Sequence, residues 1–346
     1  MAKEAVFVAG GAGYIGSHTC KALARAGYLP VCYDNLSTGH AYAVKWGPFI
    51  QGDISDKARL KEAFFSYKPI AAFHFAADAL VVESINHPAK YYRNNVAATL
   101  SLLEAMCDAQ IKHLVFSSTC ATYGNLKFSP MTEEHPQDPI NPYGRTKWFA
   151  EQMMADFDAA YGLKSVALRY FNAAGADLDT EIGEHHTPES HLIPIALQTA
   201  LGMRNQMKIY GTDFPTRDGS AVRDYVHVQD LAAAHVLALQ YLKEKNRSDQ
   251  FNLGTGSGSS VLEIIRAVET FCGREISVEL ETKRDGEPPS LSASFDKAEK
   301  LLGWKPQFSD LPTIIESAWK WHKLLYENGP LLKRIEESRC SQQLLF

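Results

Sequence analysis

Tyr143 and Lys147 stand four residues apart in Tyr-Gly-Arg-Thr-Lys. On a helix these positions share a face, which sets a phenol beside an ammonium. A neighbouring cation stabilises phenolate, so the spacing predicts a tyrosine whose pKa falls from about 10 towards neutrality. Such a phenol can exchange a proton with an alcohol. A second hydroxyl comes from Ser117-Ser118-Thr119-Cys120-Ala121-Thr122-Tyr123-Gly124, which follows a short apolar run. Open α/β sheets place ligands just beyond their strands, so Thr119 can reach the same substrate oxygen as Tyr143. Each piece alone also reads as an ordinary surface pair or a Ser/Thr-rich turn; their combination is what points to chemistry.

A third piece binds rather than reacts. Gly10-Gly11-Ala12-Gly13-Tyr14-Ile15-Gly16 follows the apolar run 5–9 and opens a helical stretch. Gly10 permits a sharp turn, Gly13 lets backbone approach a pyrophosphate, and Gly16 lets helix pack on strand. The helix start then offers N–H donors to the phosphates. Asp34 ends the second apolar run, where a carboxylate accepts from ribose hydroxyls and repels a 2′-phosphate, favouring NAD over NADP.

The elements that must hold these groups show as an alternation. Runs 5–9, 30–33, 71–75, 114–117 and 166–170 read as buried parallel strands, and 15–26, 58–65, 89–108 and 146–161 as helices. That order predicts a doubly wound α/β sheet. Residues 176–222 lose the period and read as loops and short helices. A strand–glycine–helix pattern returns at 250–270, and a Pro/Gly/charge-rich stretch at 282–290 precedes a last helical region.

The chain has 346 residues, 45% hydrophobic and 22% charged, with 35 basic against 40 acidic residues for a net charge of −5. No basic block stands out, so neither nucleic acid nor an anionic membrane is an expected partner. The longest apolar stretch, 70–82, holds only 13 residues and includes His74 and Asp78, too short and polar to span a bilayer. The start lacks the basic region of a signal peptide, and Cys20, Cys32, Cys107, Cys120, Cys272 and Cys340 form no CxxC pair. Reduced thiols in a cytoplasmic protein are the expectation.

In order, GGAGYIGSH, Asp34-Asn35-Leu36, His74-Phe75-Ala76-Ala77, SSTCATYG, NPYGRTK (141–147), LRYFNAAGA (168–176) and VRDYVHVQDL (222–231) resemble the extended short-chain dehydrogenases of the NAD-dependent epimerase/dehydratase family. The likeness spans about residues 5–310 and is nearest to the nucleotide-sugar 4-epimerases. It implies a Rossmann-type doubly wound sheet in 1–175 for NAD. A smaller α/β domain in 176–346 would mainly bind the UDP-sugar, with a segment near 223–255 returning to the first sheet. It implies that Tyr143 takes the proton of the sugar 4-hydroxyl while hydride passes to a tightly bound NAD. The 4-keto sugar turns and is reduced on its other face, interconverting UDP-glucose and UDP-galactose. Lys147 would tune Tyr143 and hold the nicotinamide ribose, and Thr119 stands where the family has Ser or Thr.

By the same matching Tyr14, Ile15, Asn35, Ser37, Thr38, Gly39, Asp53, Ile54, Phe75, Ala76, Ala77, Asn94 and Phe171 would join Gly10, Gly13, Gly16 and Asp34 around NAD. Asn172, His191, Leu192, Tyr210, Arg223, Arg284 and Leu291 would join Thr119 and Tyr143 around the UDP-sugar. Guanidiniums suit a diphosphate because they bind it bidentately. A homodimer through helices 89–108 and 146–161 is implied too.

Three departures stand out. Many relatives carry Gly-Leu-Lys where this chain has Ala77-Asp78-Ala79, which removes one phosphate contact and predicts weaker NAD retention. His191 replaces a common Asn. Leu291, at the position that gates sugar size, keeps open a 4-epimerase acting mainly on UDP-N-acetylhexosamine or UDP-arabinose/xylose. A 4,6-dehydratase wants an acidic pair just after Thr119, and Cys120-Ala121 supplies none; an NAD-sensing regulator would lose Tyr143 and Lys147. His185, His186 and His191 lack a cysteine or HExxH framework, so they read as loop histidines and no metal is expected. Cys120 reads as a packed thiol. Gly254-Thr255-Gly256-Ser257-Gly258 reads as a helix start, because Ser260 and Glu263 form a capping box.

Overall fold

A computed structural model describes residues 2–284 and 287–343, the last stretch from 329 as backbone alone. Cys340 therefore lies outside the described side chains. Five short apolar runs become strands: β1 Ala5–Ala9, β2 Leu29–Asp34, β4 Ala71–His74, β5 His113–Ser117 and β6 Lys164–Arg169, with β3 Phe49–Gln51 between β2 and β4. With β11 (Asp249–Asn252) they form a seven-stranded parallel sheet in the order β11-β6-β5-β4-β1-β2-β3.

Side chains alternate across this sheet and so build two cores. Val6 and Val8 of β1, Phe73 of β4 and Leu168 of β6 face α1 (Tyr14–Arg25) and α8 (Val228–Lys245). Phe7 and Ala9, Ala72 and Phe116 face α2 (Lys57–Tyr67), α5 (Ala98–Asp108) and α6 (Pro142–Tyr161). Both faces are covered, which is why these strands read as continuous apolar runs rather than alternating ones.

The helix expected over 89–108 is broken. After α3 (Val81–Asn86), α4 covers only Pro88–Tyr91, Tyr92–Ala97 is a π-helical turn, and α5 follows. The wider turn displaces Asn94 and Asn95 from the regular face, a distortion that clusters at functional sites. The helix expected from 146 instead begins at Pro142. Asn141 caps it, its Oδ1 accepting from Gly144 N at 2.8 Å, and proline suits the first position because its missing N–H has no helical partner. Tyr143 consequently sits in the first turn of α6.

A second lobe packs α7 (Leu192–Ala200), α9 (Val261–Cys272) and α11 (Leu311–Gln343) around Leu197, Ile209, Ile264, Val268 and Ile314. It carries the parallel pair β8 (Met207–Tyr210) and β13 (Val278–Glu281), and the strands β9 (Val222–Arg223), β12 (Ser259–Ser260) and β14 (Ser290–Leu291) in the order β12-β9-β14. Between the lobes run β7 (Asn172–Ala174) and β10 (Tyr225–His227), paired in parallel. α8 and β11 return to the main sheet, and α10 (Asp296–Leu302) packs beside them. The Ser260–Glu263 capping box is present at the start of α9. Among the described residues no helix is long and apolar enough to cross a membrane.

Candidate active site

The strand order reverses between β1 and β4, and open α/β sheets bind ligands at the carboxyl end of such a switch point. A cleft of about 540 Å³ opens there, lined by Gly10, Gly13, Tyr33, Asp34, Asn35, Ser37, Thr38, Gly52, Asp53, Ile54, Phe75, Ala76, Ala77, Asp78 and Asn94. Most of the residues assigned to the dinucleotide from sequence are thus brought together. Tyr33, Gly52 and Asp78 line it in addition. Tyr33 supports the floor through its hydroxyl, which donates to Asp53 O at 2.9 Å. Asp78 is fixed by Asn95, whose amide spans it with two bonds of 2.9 Å.

The glycines divide by what requires them. A Cβ on Gly16 would stand 2.0 Å from Gly10 O, and Gly10 itself has φ +79° with Ala76 N at 2.5 Å from its would-be Cβ. The chain's own packing demands both. Gly13 is different, since a Cβ there would meet only Gly10 O, at 3.4 Å. Its smallness serves the cleft, not the fold, which is the fit a pyrophosphate against the start of α1 needs. The residues present therefore suit NAD.

Asp34 accepts from Ala12 N at 2.9 Å and from Leu36 N at 2.8 Å. Burial pushes its carboxyl up, and those two N–H groups oppose the shift. Asn35 Nδ2 donates to Asp53 Oδ2 at 2.8 Å, joining the two loops that edge this end of the cleft. Tyr14, Ile15, Gly16, Gly39 and Phe171 do not line it, nor do Thr119, Tyr143 and Lys147, the last of which the family likeness sets on the nicotinamide ribose. Tyr14 donates to Gly175 O at 2.6 Å, Ile15 packs on the core, Gly39 lies against the Asp34 carboxylate, and Phe171 packs on the cluster of Cys120, Tyr123, Met131 and Ala293.

The proton-transfer candidates sit past the end of β5. Thr119 is buried, its Oγ1 accepts from Ala121 N at 3.1 Å, and its hydroxyl is hydrogen-bonded to the Tyr143 phenol. Lys147 Nζ donates to Ser117 O at 2.8 Å and lies 4.7 Å from the centre of the Phe116 ring. The expected lowering of the Tyr143 pKa is not what these contacts give. Burial pushes the phenol up to about 12, opposed by the Thr119 bond, while burial pushes Lys147 down to about 7. The ammonium is spent on a carbonyl and a ring, so desolvation outweighs its effect on the phenol.

Sequence reasoning missed the scaffold beneath. Glu151 continues the 143, 147 series on α6 and accepts from Ser118 Oγ at 2.5 Å, Gln137 Nε2 at 3.0 Å, and Arg169 Nε and Nη2 at 3.0 and 2.5 Å. Arg169 also donates to Tyr123 Oη at 2.9 Å, and Tyr123 donates to Asn252 Oδ1 at 2.6 Å. The i, i+4, i+8 spacing on α6 was the available signal.

On the other lobe, Leu291 pairs with Arg223 across β14 and β9. Arg284 stacks on Tyr210 at 3.9 Å, and its charge acts on Arg223, so the two guanidiniums are neighbours. Arg223 Nη2 donates to Glu287 Oε1 at 2.7 Å. Asn172 lies on β7 with its amide on Asp224 O at 3.0 Å. His191 and Leu192 begin α7, and the His191 ring is turned onto Glu184. Cys120 is buried and its thiol is raised by burial, in keeping with a packed side chain.

The NAD dependent epimerase/dehydratase family matches residues 6–254. The UDP-glucose 4-epimerase of Rhizobium meliloti (strain 1021) is 53% identical over 95% of this chain and all of that protein. A UDP-glucose 4-epimerase from Brucella ovis in complex with NAD has TM-score 0.90 at 53% identity, over 91% of this chain and 97% of its own. One from Stenotrophomonas maltophila, with NAD and formylated UDP-arabinopyranose bound, has TM-score 0.90 at 40% identity, over 94% and 99%. With that likeness running through both lobes and the cleft at the strand switch, the chain belongs to the NAD-dependent epimerase/dehydratase family, among its UDP-glucose 4-epimerases.

Proposed function

We infer that the chain interconverts UDP-glucose and UDP-galactose, as an NAD-dependent isomerase working at sugar C4. The observation that carries this is the Thr119–Tyr143 hydroxyl pair beyond β5, on the same strand-end surface as the cleft around Gly13 and Asp34. Bound NAD supplies the hydride acceptor and donor for C4. Gly10, Gly13 and Asp34 hold and orient it, Asp34 through ribose hydroxyls. Thr119 Oγ1 and Tyr143 Oη bracket the sugar 4-hydroxyl, and Tyr143 Oη takes its proton and returns it. Lys147 places a cation at neutral pH and below behind that exchange. Arg223 and Arg284 grip the diphosphate, which displaces Glu287 from the Arg223 fork. Tyr210, beneath Arg284, and Asn172 bound the same space, with Leu291 setting its depth.

Two copies pair through α3, α5 and α6, where Val82, Ile85, Leu100 and Phe149 are exposed. Cytoplasmic residence fits the unpaired described cysteines. The test supplies UDP-galactose, UDP-N-acetylgalactosamine and UDP-arabinose separately, with no NAD added. Fastest conversion of UDP-galactose to UDP-glucose is expected. Faster conversion of either other sugar would move the preference to that alternative, and no conversion even with NAD would overturn the reading.

A further inference from the structure

Among the described residues, two clusters of His, Asp and Glu side chains that could hold an ion lie outside the residues assigned to catalysis. In the first, Asp177, Asp179 and Glu181 converge on the Lys21 ammonium at 2.7, 2.9 and 2.5 Å. That cluster has its cation built in and needs no other. The second is Glu184, His186, Glu189 and His191, each offering one donor atom within 4.8 Å of the rest. Among the described residues, the ion-pair partners of Glu184 and Glu189 are these two histidines alone.

The second cluster also carries unmet polar demand. The Glu189 side chain is 1% exposed, yet its Oε2 has no hydrogen-bond partner. Buried polar atoms are nearly always satisfied, so an orphaned carboxylate oxygen in this cluster calls for a ligand. Glu189 Oε1 accepts from Ser190 N and His191 N at 2.8 and 2.9 Å, which fixes the carboxylate towards the imidazoles. It stands 3.8 Å from His186 Nδ1 and 3.7 Å from His191 Nδ1, and His186 Nδ1 is 3.3 Å from Glu184 Oε1. His191 Nδ1 and Glu184 Oε1 are closer still. Donors about 2.0–2.1 Å from one tetrahedral ion lie roughly 3.3–3.4 Å apart, which these edges bracket.

We propose that Glu184, His186, Glu189 and His191 form a binding site for a divalent first-row transition ion, with Zn²⁺ the best match. Two imidazole nitrogens and two carboxylate oxygens suit a four-coordinate zinc site; Ca²⁺ demands six to eight oxygens. Both histidines bind through Nδ1, leaving Nε2 to carry the proton. The partial exposure of both rings, 29% and 50%, gives the ion a way in. Two carboxylates balance the ion's charge.

The role is to fasten a loop. Trp321 Nε1 donates to Glu184 O at 2.9 Å, which ties one end of 184–191 to α11, and His191 caps α7 at the other. An ion shared by both ends holds the start of α7, where Leu192 was assigned to the sugar nucleotide, against α11. The ion takes no part in the reaction.

The test uses the tag-free full chain stripped with a chelator. Calorimetric titration with ZnCl₂ and elemental analysis should give one ion per chain. The Co²⁺-loaded protein should show the intense visible absorption of a four-coordinate site. ZnCl₂ should raise the melting temperature above that in chelator. His186→Ala and the isosteric Glu189→Gln should each weaken Zn²⁺ binding by at least about tenfold. The absence of saturable binding by the unaltered chain overturns the proposal, with no variant needed. Saturable binding equally strong in both variants overturns it too, since the ion would then sit elsewhere.

Discussion

The buried pair Glu151–Arg169 offers the sharpest test of how the site is held. Both side chains are almost wholly enclosed, 7% and 5% exposed, and the Glu151 carboxylate receives four hydrogen bonds from Ser118, Gln137 and Arg169. Glu151→Ala leaves a guanidinium in the interior with Tyr123 Oη as its remaining partner. Breaking a buried pair from one side costs about 3–5 kcal/mol. At about 2 °C per kcal/mol for larger domains, the melting temperature should fall by roughly 6–10 °C. Turnover should fall as well, because Ser118 loses the partner that anchors the residue before Thr119. The double replacement Glu151→Leu with Arg169→Met removes both charges and keeps the volume, so it should recover most of the lost stability. Thermal unfolding of the parent, Glu151→Leu, Arg169→Met and the double variant, followed by circular dichroism, measures the coupling. A single variant within 2 °C of the parent, or a double variant as unstable as the two singles added together, would refute the claim that this pair organises the Thr119 loop.

Three further outcomes follow from the geometry. Tyr143→Phe should lower kcat by about 10²–10⁴-fold, the usual worth of a positioned acid–base group, while equilibrium dialysis finds NAD binding intact; retained turnover removes Tyr143 from its role. Lys147 has its pKa lowered to about 7 by burial, so its charge destabilises the fold most below pH 7, and the penalty fades as pH rises towards the unfolded value of about 10.5. Lys147→Met should therefore be inactive yet more stable than the parent in denaturant titrations at pH 6, with the gap narrowing by pH 10; a constant gap would contradict this. Gly16→Ala should destabilise the chain, since its Cβ meets Gly10 O at 2.0 Å, whereas Gly13→Ala should leave the melting temperature unchanged and weaken NAD binding; equal stability losses would show that Gly13 serves the fold.

The strands were legible because a sheet covered on both faces writes itself as short apolar runs, and the glycine loop because steric demand at Gly10 and Gly16 admits one residue type. The break in the helix over 89–108 was not legible. Nothing in Tyr92–Ala97 forbids a regular helix; the π-helical turn is fixed by Asn95, which reaches Asp78 and, at 3.1 Å, the Thr146 hydroxyl. Those partners are remote in sequence, so no local period reports them. Arg169 and Glu151 escaped for the same reason. Glu151 looks like a surface charge, and nothing local says what pairs Arg169 inside its strand, until the fold encloses both. The grouping of His186 and His191 with Glu184 and Glu189 was not legible either, because the loop that gathers the four follows no ligand spacing that a sequence pattern records.

Spacing also gives the wrong sign when solvation decides the outcome. Tyr143 and Lys147 share helix α6, yet the ammonium does not spend its charge on the phenol. Placed in the first two turns of α6 beneath β5, the lysine meets Ser117 O and the Phe116 ring, and burial weakens its own hold on the proton. The phenol, buried beside Thr119, is driven up to about 12. At neutral pH these residues by themselves favour a neutral phenol. A tyrosine that accepts a sugar proton must then draw on positive charge delivered to the cleft, such as an oxidised nicotinamide carries, so that proton uptake and ligand binding are coupled through one low-dielectric space. The working pKa of the Tyr-x-x-x-Lys pair is therefore expected to depend on the cofactor that the glycine loop would hold.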